Sequence, residues 1–163
     1  PFAFPPMEVD LSACPPEEMG LYTARVKGDL AELPRYLVPA PLPADVSEDM
    51  RRQAIVAYRA IGALDVARVD FRMDAAGRPY VLEINALPGI NPELSDLCIY
   101  MSLLGVPYDW LINRILDLAC ARYGLPTSDA FEQPIPYDPP RPGELRIARV
   151  GEPNRTEWRT TAI

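Results

Sequence analysis

Apolar and polar residues alternate strictly in two neighbouring stretches of the chain. Arg68-Val69-Asp70-Phe71-Arg72 puts Arg68, Asp70 and Arg72 on one face, with Val69 and Phe71 on the other. Tyr80-Val81-Leu82-Glu83-Ile84-Asn85 puts Glu83 and Asn85 on one face, with Leu82 and Ile84 opposite. Period-two alternation is the mark of a half-buried strand. Asp74-Ala75-Ala76-Gly77-Arg78-Pro79 between them carries turn residues, so the pattern predicts a β-hairpin. Met7 to Leu11 also alternates and predicts a strand. Met50, Ala54, Ile55, Tyr58 and Ile61 recur at helical spacing and predict a helix with these residues facing the core. Asp45 or Ser47 would cap it, and Gly62 would stop it. A further helix is expected to open within Pro92-Glu93-Leu94-Ser95-Asp96 and end near Gly105. Asp109 to Tyr123 is the clearest amphipathic helix, with Trp110, Leu111, Ile115, Leu118 and Ala119 on its apolar face and Gly124 and Pro126 ending it.

The spaces between these elements are rich in proline. Val38-Pro39-Ala40-Pro41-Leu42-Pro43 reads as a rigid extended connector, because proline continues neither a helix nor an inner strand. Residues 126–142 hold six prolines in seventeen positions and read as an extended linker. Gly143 to Val150 could begin a strand. The rest, through Ile163, is either the start of another module or a tail. The expected organisation is therefore a body over residues 1–125, a linker over 126–142 and an unassigned piece over 143–163.

The hairpin carries the candidate chemistry. With its turn centred so that Asp74 opposes Pro79, Asp70 falls opposite Glu83 and Arg68 opposite Asn85. Directly opposed side chains lie about 4.5–5.5 Å apart at Cβ, and opposed like charges destabilise a sheet. A cation would relieve that patch. All three candidate ligands, Asp70, Glu83 and Asn85, are hard oxygen donors, which suits Mg²⁺ or Mn²⁺ better than zinc or copper. A solvated polar face on an ordinary hairpin is the other reading. After the second arm, Ala86-Leu87-Pro88-Gly89-Ile90-Asn91-Pro92 forms a tight Pro/Gly loop that can aim backbone N–H groups at an anion.

Composition narrows the field. The chain has 163 residues, 48% hydrophobic, enough for one domain with a real core. A net charge of −7 argues against nucleic acid as a partner. Cys14, Cys98 and Cys120 are scattered without a C-x-x-C, which suits reduced thiols in a cytoplasmic protein. No membrane-length apolar run appears.

The Arg-x-Asp of Arg68 to Asp70, the Glu-x-Asn of Glu83 to Asn85 and the loop Leu87-Pro88-Gly89 together resemble the C-terminal half of an ATP-grasp ligase. The nearest kinship is with D-alanine–D-alanine ligases and related carboxylate–amine ligases. The resemblance runs from about Pro5 to Leu125. It implies an α+β fold, an antiparallel sheet packed with helices. It also implies a fragment, inactive alone, with the N-terminal ATP-grasp portion supplied elsewhere in the parent chain.

The implied activity is ATP-dependent joining of a small-molecule carboxylate to an amine through an acyl phosphate. ATP and two Mg²⁺ or Mn²⁺ ions are the implied cofactors. Asp70, Glu83 and Asn85 would be the metal ligands, with Glu83 bridging both ions. Arg68 and the N–H of Gly89 would stabilise the tetrahedral oxyanion. Arg25 and Lys27 would present cations to phosphates or a substrate carboxylate, with Arg25 where the family has lysine and Val26 where it has tyrosine. Leu82 is a candidate wall of the adenine pocket, or else plain core. Ser95 would bind the carboxylate of the second amino acid. Asp96 beside it would repel a carboxylate or hold an amine. For Ser95 and Asp96 an ordinary helix cap is the competing reading, and for Arg25 and Lys27 plain surface charge. An ATP-grasp relative with a different acceptor, a non-catalytic module and a homodimer all stay open.

Overall fold

Tyr36 and Val38 are completely buried, and they lie on a strand that alternation along the sequence does not reveal. A computed structural model describes residues 1–18 and 20–151 of the chain. Strand β1 (Glu8–Asp10) pairs antiparallel with β2 (Arg35–Val38), and β2 pairs antiparallel with a later strand, Arg146–Ala148. β2 is thus the centre of a three-stranded sheet. A central strand covered by other elements reads as a continuous apolar run rather than an alternation, and Tyr36-Leu37-Val38 is such a run, stopped by Pro39. The connector expected from Val38 onward therefore begins one residue later, because Val38 completes the strand.

Between β1 and β2, a single helical turn, α1 (Ala24–Lys27), is capped by Thr23, whose hydroxyl accepts the N–H of Val26 at 3.2 Å. Helix α2 (Ala44–Ala60) follows β2. Neither Asp45 nor Ser47 caps it. The N-cap is Pro43, whose fixed φ of −53° turns the chain into the helix, and its carbonyl accepts the Ser47 N–H at 3.0 Å. Asp45 instead lies in the first turn, where the helix dipole favours an acid. Met50 is buried, and Ala54, Ile55 and Tyr58 are half-buried. Ile61, expected in the core, is 54% exposed because the helix ends at Ala60 and Ile61 leaves the helical row.

The hairpin follows as β3 (Arg68–Met73) and β4 (Pro79–Asn85), a separate two-stranded sheet against which α2 packs. Helix α3 (Asp96–Leu103) is apolar all round and is the centre of the core. Its Leu97, Ile99, Met101 and Leu103 pack with Tyr36 and Val38 of β2. Helix α4 (Tyr108–Arg122) lays Leu111 on the same cluster, with Trp110 and Ile115 beside it. Cys98 is a buried free thiol in this core. Among the described residues no helix is long and apolar enough to cross a membrane.

Residues 126–142 form no regular helix or strand, yet they are fastened to the rest. The Ser128 hydroxyl and N–H both donate to the buried Asp117 of α4, at 2.6 and 2.8 Å. The Arg114 guanidinium sits over the Phe131 ring at 4.5 Å and donates to the Phe131 carbonyl. Tyr137 packs edge-on against Phe4. Strand β5 (Arg146–Ala148) then closes the sheet, within the stretch whose pattern predicts a strand. The tail from residue 152 to Ile163 lies outside the described residues.

Arg146 locks this closure. It is buried, and its guanidinium donates to the Leu103 carbonyl at 2.8 Å, the Asp138 carbonyl at 2.9 Å, the Asp138 carboxylate and the buried Glu144 carboxylate. Removing it strands a buried carboxylate and two carbonyls. Arg146→Ala is expected to cost about 3–5 kcal/mol, the range for breaking a buried ion pair from one side. Urea unfolding checks this, and a loss below about 1 kcal/mol, the scale of an exposed pair, would contradict it.

Candidate functional site

The site is assembled by a turn, a bulge and one guanidinium. In the turn, the Asp74 carboxylate accepts the N–H groups of Ala76 and Arg78, both at 2.9 Å. Gly77 takes φ = +76°, a conformation that strains residues with a Cβ. The hairpin turn is one residue wider than expected: Met73, not Asp74, opposes Pro79. The ladder then shifts between Asp70 and Phe71, leaving Leu82 as an extra residue on β4. This β-bulge restores the pairing of Asp70 with Glu83 and of Arg68 with Asn85. It also leaves Leu82 65% exposed, so Leu82 is not core.

Arg68 lies among the carboxylates. Its Nε and Nη2 donate to the two oxygens of Asp70 at 2.7 and 2.9 Å, a two-pronged grip. Its Nη1 donates to Asp96 Oδ2 at 3.1 Å, and Glu83 Oε1 stands 3.7 Å from Nη2. The hydrogen bonds to Asp70, then the neighbouring negative charges, push the Arg68 pKa up despite partial burial. The guanidinium thus supplies the positive charge that opposed Asp70 and Glu83 call for. Among the described residues, no three Asp, Glu, His or Cys side chains gather as a metal-binding cluster. The donor set nevertheless fits a hard cation. Glu83 is 65% exposed and, among the described residues, is held only by the long contact to Arg68, while both Asp70 oxygens are shared with Arg68. Asn85 turns its Oδ1 to the Leu87 N–H at 3.0 Å, bracing the start of the Pro/Gly loop.

Asp96 is the second anchor of Arg68. Its side chain is 13% exposed, and its Oδ1 lies 3.0 Å from the Tyr22 hydroxyl and 2.9 Å from the Tyr36 hydroxyl. The two hydroxyls are 2.6 Å apart. Asp96 only accepts, and two hydroxyl protons cannot fill three short contacts at once, so one of the three contacts is without a proton. Sequence reasoning picked out Asp96 but missed both tyrosines. Tyr22 falls in a stretch noted for its cations, and Tyr36 in a short apolar run, and neither pattern signals a polar role.

The remaining candidates lie around this centre. Arg25 donates to Glu18 at 2.8 Å, and Thr23 donates to the other oxygen of Glu18. Lys27 sits over the Tyr22 ring, 4.7 Å from its centroid. Val26 is completely buried. Ser95 is the N-cap residue of α3, but its hydroxyl accepts the Asn91 N–H at 2.9 Å instead of capping the helix. A Cβ on Gly89 would come within 2.8 Å of that hydroxyl, so a larger residue there would have to displace the Ser95 side chain. Arg68 therefore touches Asp70, Glu83 and Asp96. Ser95 and Gly89 touch each other next to them in sequence, and Arg25 is paired elsewhere.

The tyrosine pair gives a measurable signature. Burial pushes the Tyr22 pKa up to about 12, and burial with the Tyr22 hydrogen bond pushes Tyr36 higher. A raised tyrosine pKa means that the fold holds the proton more tightly than the unfolded chain. The stabilisation is fully present below the ordinary value of about 10 and is lost as pH rises through the folded values. The urea midpoint should fall once pH exceeds about 10, and Tyr36→Phe should flatten that fall. A midpoint as steep in Tyr36→Phe as in the parent chain would contradict it.

Comparison with known proteins places this geometry. The family described as D-ala D-ala ligase C-terminus matches residues 14–117. A D-alanine–D-alanine ligase of Chlorobium chlorochromatii is 36% identical over 109 residues, covering 64% of this chain and 28% of that protein. An uncharacterized protein, y4sG, of Sinorhizobium fredii is 37% identical over 106 residues, covering 65% of this chain and 31% of that protein. The chain thus spans less than a third of the length of these relatives. Among solved structures, the D-alanine–D-alanine ligase of Bacillus anthracis complexed with ATP aligns with a TM-score of 0.48 and 29% identity, over 52% of this chain and 29% of that one. With the family match covering most of its length, the chain belongs to the D-ala D-ala ligase C-terminus family, the C-terminal half of the ATP-grasp fold.

Proposed function

We propose that this chain is the C-terminal catalytic portion of an ATP-dependent carboxylate–amine ligase that works through an acyl phosphate. The observation that carries the reading is the register of the hairpin. It opposes Asp70 to Glu83 and Arg68 to Asn85 inside the stretch matched by the family. In this reading residues 1–125 are the ATP-grasp part, and the rest of the nucleotide cleft comes from the remainder of a longer parent.

Asp70, Glu83 and Asn85 would hold Mg²⁺ or Mn²⁺. When bound, a divalent ion supplies charge neutralisation on phosphate oxygens. The chain's own groups do the rest. Arg68 faces the place where charge develops when an amine adds to the activated carboxyl, and the Gly89 N–H lies on the adjoining loop. Each such donor contributes about 2.7–4 kcal/mol to transition-state stabilisation. Leu82, lifted outward by the bulge, offers an apolar surface to an adenine ring.

A second reading, a different acceptor from that of the named relatives, has its own support. Val26 is buried and the Ser95 hydroxyl is occupied by Asn91. Asp96 puts a carboxylate where an acceptor carboxylate would have to approach. A panel of amines and amino acids scored by ADP release decides between the two. Turnover with D-alanine alone would end the second reading.

In the full-length parent, Asp70→Asn or Glu83→Gln should abolish ATP-dependent ligation. Arg68→Met should lower kcat by about 10²–10³, the loss typical of one oxyanion donor. Retained turnover in Asp70→Asn would contradict the ligase reading.

A further inference from the structure

Resting on the metal reading above, Arg68 has two roles that compete for the same oxygens. Its two-pronged bond occupies both oxygens of Asp70. A cation held by Asp70 and Glu83 must therefore displace the guanidinium from at least one of them. A displaced guanidinium without another carboxylate would be an unpaired, partly buried charge, which is costly. Asp96 removes that difficulty. Its Oδ2 already accepts from Nη1 of the same guanidinium, on the side away from Asp70. Asp96 itself is held from behind by the hydroxyls of Tyr22 and Tyr36 on its other oxygen. Tyr36 is fully buried on the central strand, so this backing is rigid.

We infer that Asp96, braced by Tyr22 and Tyr36, is a positioning residue: it keeps Arg68 in place when a divalent cation takes Asp70. Cation binding and release of Arg68 from Asp70 are then one coupled event. The guanidinium passes from Asp70 to Asp96 without leaving the site, and its freed N–H groups become available to a developing oxyanion. Asp96 acts on the cation through Arg68, not by touching it.

A double-mutant cycle tests this on the 163-residue chain, with Mn²⁺ alone as the probe and electron paramagnetic resonance of free Mn²⁺ as the readout. Arg68→Met removes the competitor and should tighten Mn²⁺ binding by about tenfold, while Asp96→Asn should weaken it by about tenfold. In the Arg68→Met background, Asp96→Asn should change the affinity by less than about twofold, because no guanidinium remains to be received. Arg68→Lys keeps the charge but loses the two-pronged grip and serves as a second background, with an intermediate effect expected. Equal weakening by Asp96→Asn in all backgrounds would mean that Asp96 acts on the ion directly and would overturn the proposal. So would no weakening in any of them. Mn²⁺ binding that is absent, or that Asp70→Asn leaves unchanged, would overturn the metal reading beneath it as well. That result is distinct from intact, Asp70-dependent binding without coupling.

Discussion

Two sheets and a buried helix meet at the Arg68 guanidinium. It reaches from the hairpin, through Asp70 on its own strand, to Asp96 at the start of α3, and Asp96 in turn reaches Tyr36 on the central strand of the other sheet. The constraint behind this chain of contacts is electrostatic. Antiparallel pairing sets Asp70 against Glu83, and opposed carboxylates on a sheet need a positive partner. In the structure that partner is Arg68. Its position explains why a cluster of hard oxygen donors exists without the carboxylates being forced apart.

The same constraint separates roles that a list of polar residues would merge. Asp70 is gripped through both oxygens by Arg68, while Glu83 stays largely exposed. Asp96 is mostly buried and saturated by two tyrosines and the arginine, which makes it a fixed support. Gly89 lies close against the Ser95 side chain, whose hydroxyl accepts the Asn91 N–H and ties the Pro/Gly loop to the start of α3.

Much of this was legible in the residues. The hairpin alternation gave both strands, and the opposition of Asp70 with Glu83 followed from it. The turn, however, is one residue wider than symmetry suggested, and only the bulge at Leu82 brings the pairing back into register. A bulge has no distinctive residue signal in Tyr80 to Asn85. Helix α4 was evident because one face is apolar and the other wet. Strand β2 was not, because a short strand buried on all sides has no alternation to display. Ile61 was misplaced because helical spacing was extended one residue past the point where the backbone leaves the helix. Tyr22 and Tyr36 were invisible as site residues because their role depends on a contact to Asp96, 74 and 60 residues away.

The most direct measurement is a crystal structure of the chain grown with Mn²⁺, phased to show anomalous scattering from the metal. An anomalous peak in contact with the Asp70 and Glu83 carboxylates is expected, with the Arg68 guanidinium still on Asp96 and withdrawn from Asp70. A map without a peak at that position, and with Arg68 still gripping both Asp70 oxygens, would contradict the claim that the hairpin carboxylates form a cation site.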